Sequence, residues 1–250
     1  MAKSDSDISI CFPGEDRWEL WRLKSGRFEL ADTAPLDEGG HVEPFKSATH
    51  YAFPLNSVYA VPIWSATDDP SVLGDLVDMQ LEKQGVKPEA GPGVLLDYRK
   101  VGSAEAAPGQ ASPEGEAATT RSLLLATVLN PNYPHPLPRS GSKEFDVSAR
   151  FLVLPGNHIV IWKELGRLVM ALTRGGQLVY FQALSSGDLD ASSVQEIRCV
   201  LLGLEGQGIV AKPSGVHLWV EDVDDGAGAL LQGELGLDAI VTLRPDPALP

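Results

Sequence analysis

"HIVIWKELGRLVMALTRGGQLVYFQAL", residues 158–184, decides how this chain is read. It holds two runs of alternating or continuous apolar residues joined at Gly175 and Gly176, and a glycine pair supplies the two positive φ angles that a tight hairpin turn needs. The pattern predicts antiparallel strands packed on a core. Upstream, "ARFLVL" (149–154) predicts one more strand. Downstream, Val194, Ile197, Leu201 and Leu204 recur at helical spacing, which predicts a helix over about 190–205 with one apolar face. "VHLWV" (216–220) reads as a strand, 227–235 as a short helix and "DAIVTL" (238–243) as a last strand. The order is three strands, helix, strand, helix, strand, an α/β pattern that makes a sheet with parallel members.

The N-terminal part reads as a small antiparallel meander. "ISICF" (8–12), "RWELWRL" (17–23) and "RFELAD" (27–32) predict three strands, the last two joined by a turn in which Gly26 takes a positive φ. A polar stretch, 32–49, follows, then β-rich "THYAFPLNSVYAVPIW" (49–64), interrupted by Pro54 and Pro62. "DDPSVLGDLVDMQLEKQG" (68–85) is the best helix: Asp69 caps it, Pro70 takes the first turn, Gly85 ends it, and Val72, Leu73, Leu76, Val77 and Met79 form its apolar stripe. "GVLLDYRKV" (93–101) and "RSLLLATVL" (121–129) read as strands flanking a mobile surface loop, 102–120, rich in Gly, Ala, Pro, Ser and Glu. "NPNYPHPLPRSGSK" (130–143) is too rich in Pro and Gly for regular structure and marks a boundary.

Composition excludes several function classes. At 250 residues, 43% hydrophobic and 22% charged, the chain can bury a real core, and its formal charge of −14 opposes binding to nucleic acid or to an anionic membrane. No window of 18 apolar residues occurs, so neither a signal peptide nor a membrane span is expected in this chain. Cys11 and Cys199 lie in apolar patterns and are expected to be buried, reduced thiols of a cytoplasmic protein. The Pro-rich end "TLRPDPALP" fits the soluble part of a longer protein.

Catalytic motifs are missing from the sequence. His41, His50, His135, His158 and His217 show no metal-ligand spacing, and there is no G-x-S-x-G, H-E-x-x-H or Walker motif. "GQGIVA" (206–211) has the letters of a dinucleotide fingerprint but follows a helix rather than a strand, so its glycines read as a helix C-cap. "EDVDDG" (221–226) gathers four carboxylates without the spacing of a calcium loop and reads as a solvated turn. Trp18, Trp21, Trp64, Trp162 and Trp219 all fall in strand-like runs and are expected to be largely core.

The order of elements resembles the actin-like (ASKHA) proteins of type IV pilus and type II secretion platforms, the PilM family and the GspL cytoplasmic-domain family. The resemblance rests on "LNSVYAVPIWS" (55–65), the helix "LGDLVDMQLEKQGV" (73–86), "GVLLDYRKVG" (93–102) with Asp97 and Tyr98, "RSLLLATVLNP" (121–131), and the hairpin 158–184 with its following helix. It implies an α+β / α/β actin-like fold: a reduced first ribonuclease-H-like half over 1–57, an inserted small α+β domain over 58–131, a linker over 132–147 and a second half over 148–250.

ATP-binding members of that group carry an Asp near the end of the first strand of each half, with Gly two residues later. The carboxylates hold Mg²⁺, and the tight turn brings backbone N–H groups to the phosphates. The resemblance places Phe12 and Gly14 at the first pair and Trp162 and Glu164 at the second. Neither aromatic ring can coordinate magnesium. It therefore implies a protein that is not an enzyme and needs no cofactor or metal: a cytoplasmic scaffold, peripheral at the inner membrane, that docks the N-terminal domain of the assembly ATPase and links it to membrane platform proteins. A homodimer is compatible with this reading. The alternative is a PilM-like protein in which ATP regulates partner affinity.

Overall fold

The computed structural model describes residues 8–36, 45, 48–86, 95–105, 120–130, 144–209, 212–220 and 226–250. The elements are β1 (Ser9–Pro13), β2 (Arg17–Lys24), β3 (Arg27–Pro35), β4 (His50–Phe53), β5 (Val58–Ser65), α1 (Pro70–Lys83), β6 (Leu95–Glu105), β7 (Thr120–Leu129), β8 (Glu144–Val147), β9 (Ile159–Glu164), β10 (Arg167–Arg174), β11 (Gln177–Ala183), α2 (Ala191–Gly206), β12 (Val216–Trp219), α3 (Gly226–Leu235) and β13 (Ala239–Thr242). They form two compact units, Met1–Val58 with Asn132–Pro250, and Tyr59–Pro131.

The larger unit contains two sheets built to one plan, β3-β2-β1-β4-β8 and β11-β10-β9-β12-β13. In each, three antiparallel strands come first and two parallel strands are added beside the first of them. That arrangement puts β1 and β9 at the centre of their sheets. Both are apolar through most of their length, as strands covered on two faces must be. Trp18, Trp21, Trp162 and Trp219 are buried here.

The stretch 158–184 contributes all three antiparallel strands of the second sheet, a finer division than its glycine pair predicts. A first turn at Leu165 (φ 49°) and Gly166 (φ 75°) precedes the one at Gly175 and Gly176. A branched aliphatic residue is rare at positive φ, which is why this turn does not read as one in the sequence. "ARFLVL" is correspondingly not a strand: Ser148–Phe151 form a 3₁₀ turn. The expected linker 132–147 ends in β8, which pairs in parallel with β4 and lays Phe145 on Phe53 at 5.5 Å between ring centroids. The rest of that stretch, with His135, and also His41 and 221–225 of the acidic turn, lie outside the described residues.

α2 starts with a reciprocal cap, Asp190 accepting from the Ser193 N–H while Ser193 Oγ accepts from the Asp190 N–H. It ends at Gly208 (φ 69°), where Gly208 N–H donates to the Glu205 carbonyl and Ile209 N–H to the Leu204 carbonyl, so the GQG letters are a helix terminus. Cys11 is buried but Cys199 is exposed, because position 199 falls off the stripe formed by Val194, Ile197 and Leu204.

The smaller unit is a three-stranded sheet, β5-β7-β6, with α1 against it. Asp69 caps α1 by accepting from the Ser71 N–H, and Gly85 (φ 76°) ends it with paired bonds from Gly85 N–H to the Glu82 carbonyl and Val86 N–H to the Leu81 carbonyl. Val77 and Leu81 meet Val61, Ile63, Leu124, Ala126 and Val128 in the core, with Leu73 and Leu76 at its margin. Val72 and Met79 of the expected stripe are exposed, since the buried face is centred one position further round the helix. The expected mobile loop 102–120 is shorter at both ends, because residues up to Glu105 and from Thr120 pair in a long hairpin; 106–119 lie outside the described residues.

Candidate functional site

The ends of the two central strands, which carry Phe12 with Gly14 and Trp162 with Glu164, face each other inside the larger unit. Gly14 follows β1 and turns the chain into β2, its N–H donating to the Arg17 carbonyl at 2.8 Å. A Cβ there would overlap the Glu19 carboxylate and lie 2.8 Å from the Arg17 oxygen, so only glycine fits this turn. Phe12, one strand position before Pro13, is fully buried and paired in register with Glu19.

Arg244, from the segment after β13, lies over Phe12 with its guanidinium carbon 4.6 Å from the ring centroid. Its Nη2 donates to Glu19 Oε2 at 2.6 Å and Nη1 to the Pro13 carbonyl at 3.4 Å. Trp21 Nε1 donates to the same Glu19 oxygen at 2.8 Å. The Arg244 and Glu19 side chains are only 17% and 14% exposed, which makes this ion pair far less screened than a surface one. Phe12, Glu19 and Trp21 of the first hairpin and the sequence-distant Arg244 thus form one charged, aromatic-backed cluster.

On the opposing strand end, Trp162 and Glu164 point the same way from β9 and both are buried. Glu164 is bonded entirely by protein donors: Trp162 Nε1 at 2.9 Å and Ser148 Oγ at 2.5 Å to Oε1, and Leu55 N–H at 2.8 Å to Oε2. Burial raises its pKa to about 7, against the pull of those hydrogen bonds and of the Arg244 charge. Since Leu55 follows β4 and Ser148 follows β8, Glu164 ties the second sheet to the first.

The two turns also bond to each other. Leu165 N–H donates to the Gly14 carbonyl at 2.8 Å and Gly166 N–H to the Glu15 carbonyl at 2.7 Å. Backbone N–H groups of a tight turn can bind an anion, and here the carbonyls of a neighbouring turn accept from these two.

Sequence reasoning found Phe12, Gly14, Trp162 and Glu164, and the structure brings all four into one region. It missed Arg244 and Glu19, which are 225 positions apart and carry no local signal. It also missed His158 and His217, whose rings pack edge to face at 4.7 Å because β9 and β12 run side by side. Burial and the neighbouring His158 lower the pKa of His217. Among the described residues no three His, Cys, Asp or Glu side chains gather as a metal site. Among them, too, no helix is long and apolar enough to cross a membrane.

No family model matches the chain, and no curated protein matches it significantly. Solved structures do. A chain of a "PilM-PilN type IV pilus biogenesis complex" superposes with a TM-score of 0.56 at 16% identity, over 96% of this chain and 89% of that one. A protein from Bacteroides thetaiotaomicron "with actin-like ATPase fold and unknown function" superposes at 0.51 and 9% identity, over 96% and 92%. The cytoplasmic domain of EpsL, "an inner membrane component of the type II secretion system of Vibrio cholerae", matches at 0.42 and 8%, over 97% and 84%. The chain has an actin-like fold, and these neighbours are of the kind to which the sequence resemblance points.

Proposed function

We propose that this protein is a non-catalytic scaffold of a type IV pilus or type II secretion platform. In this reading it works on the cytoplasmic side of the inner membrane, docking the N-terminal domain of the assembly ATPase and linking it to membrane components. Likeness over nearly the whole length to a chain of a PilM-PilN type IV pilus biogenesis complex supports the setting. The observation that carries the non-catalytic part is the clasp between the Gly14–Glu15 and Leu165–Gly166 turns. With the N–H groups of Leu165 and Gly166 paired to protein carbonyls and Glu164 bonded to three protein donors, opening the site to a phosphate would break the two clasp bonds and the buried hydrogen bonds of Glu164. A charge of −14 favours basic partner surfaces and speeds encounter with them.

A second reading, a nucleotide binder regulated by ATP, draws on one observation. Glu164 at the end of β9 with Gly166 two residues later has the carboxylate-x-glycine spacing of a metal-holding turn. Phe12 leaves the first half without the matching carboxylate.

Co-elution of the chain with the N-terminal domain of the assembly ATPase from the same genome tests the scaffold. A complex at tens of micromolar, weakened by salt, is expected. Separate elution at those concentrations argues against that partner.

A further inference from the structure

We infer that the outer edge of β13 is a docking site for an extended segment of another protein, one with apolar side chains at alternate positions and Lys or Arg beside them. β13 is the terminal strand of its sheet, and its neighbour on one side only is β12. The Asp238 carbonyl accepts from the Val216 N–H on β12 at 2.9 Å, so the twofold alternation of a strand turns the backbone groups of Ala239 and Val241 outward. A row of unpaired donors and acceptors is a template for a further strand.

Other edges of the two large sheets are guarded. β3 carries Arg27, Glu29, Asp32 and Pro35 and has an irregular register against β2; β8 is four residues long with Glu144 and Asp146; β11 keeps its large apolar residues covered. β13 is as short as β8 but carries no charged residue and no proline within the strand. Its residues are Ala-Ile-Val-Thr, paired in unbroken register, with Ile240 48% exposed, Val241 37% and the following Leu243 72%. Because successive side chains alternate, both faces of the edge are apolar.

Charge selects the occupant. Glu234 on α3, Asp238 before the strand and Asp246 after it are exposed and form no ion pair with a described residue, whereas Arg244, two residues after the strand, is held by Glu19. A second copy of this chain would bring the same acids against each other. A basic-flanked strand from a different protein would neutralise them. The inference builds on the scaffold reading by naming a surface, and the nucleotide titration below tests that reading separately.

The test uses the full chain and a fluorescent synthetic peptide, Lys-Val-Thr-Val-Thr-Val-Lys, with a Glu-flanked counterpart. The basic peptide should bind at submillimolar concentration, and Val241→Pro, which removes an outward N–H at a position where an edge tolerates proline, should weaken it about tenfold or more. Val241→Lys should do the same by charge, and circular dichroism melts of both variants establish that they are folded. No binding of the basic peptide, equal binding of the Glu-flanked one, or unchanged binding by both folded variants overturns the proposal. So does a dimer in sedimentation that either variant dissolves, since the occupant is then a second copy.

Discussion

The two strand ends that face each other inside the larger unit are filled in different ways. At the end of β1 the side chain is Phe12, and the positive charge beside it is the protein's own Arg244, balanced by Glu19. At the end of β9 the buried carboxylate of Glu164 accepts from Ser148, Leu55 and Trp162. One end pairs an aromatic ring with an internal cation; the other holds a carboxylate whose oxygens accept from three protein donors. A buried carboxylate can thus act as a tie between sheets, and the type of residue at a position does not reveal how it is bonded.

If Glu164 is the internal tie described, Glu164→Ala has the largest effect. It leaves three buried donors without an acceptor and should lower stability by about 3–5 kcal/mol, read from urea unfolding. A mild loss, near that of an exposed site, would break the comparison by showing that water replaces the carboxylate. The pH dependence sharpens it. Below pH 4.5 the carboxyl is protonated in folded and unfolded chains alike; from there to about pH 7 the folded chain keeps a proton that the unfolded chain releases. Stability therefore falls with rising pH across that window by roughly 3 kcal/mol and is level above it. Glu164→Gln should lack this component, so the difference between the two proteins should change with pH from 4.5 to 7 and not beyond.

Arg244→Ala tests the other end. Loss of the stacked guanidinium leaves Glu19 partly buried and unpaired, at a cost of about 2–3 kcal/mol, while Arg244→Lys keeps the charge but not the planar contact and should cost about 1 kcal/mol. Equal effects of the two changes would mean that the planar guanidinium contact matters and the charge does not, and an Arg244→Lys protein as stable as the parent would mean that charge alone matters. Gly14→Ala, whose methyl would press on the Arg17 carbonyl and Glu19, is expected to cost about 1–3 kcal/mol. The smallest change, Asp190→Ala at the α2 cap, should cost about 1 kcal/mol and leave the interface between the strand ends untouched.

Much of the fold was legible because its signals are local. Asp69, Pro70 and Gly85 delimit α1, and Asp190 and Gly208 delimit α2, by hydrogen bonds that reach only a few residues. The count of strands in the second sheet could be read too, although Leu165 at positive φ concealed a turn and "ARFLVL" was assigned the strand that turn creates. β8 escaped notice because four residues at an edge, two of them acidic, show no periodicity. The candidate site was half legible. Phe12, Gly14, Trp162 and Glu164 lie in the strands and turns that a pattern locates, whereas Arg244, Glu19, Leu55 and Ser148 reach them only through the fold. For the same reason spacing could not pair His158 with His217.

The direct test of the account is the melting temperature of the 250-residue chain titrated with Mg-ATP to millimolar concentration. Closed turns and a satisfied Glu164 predict an unchanged melting temperature at every concentration. A saturable rise, approaching the 2.7 kcal/mol or so expected at a hundredfold excess over Kd, would show that the turns open to admit a nucleotide and would contradict it.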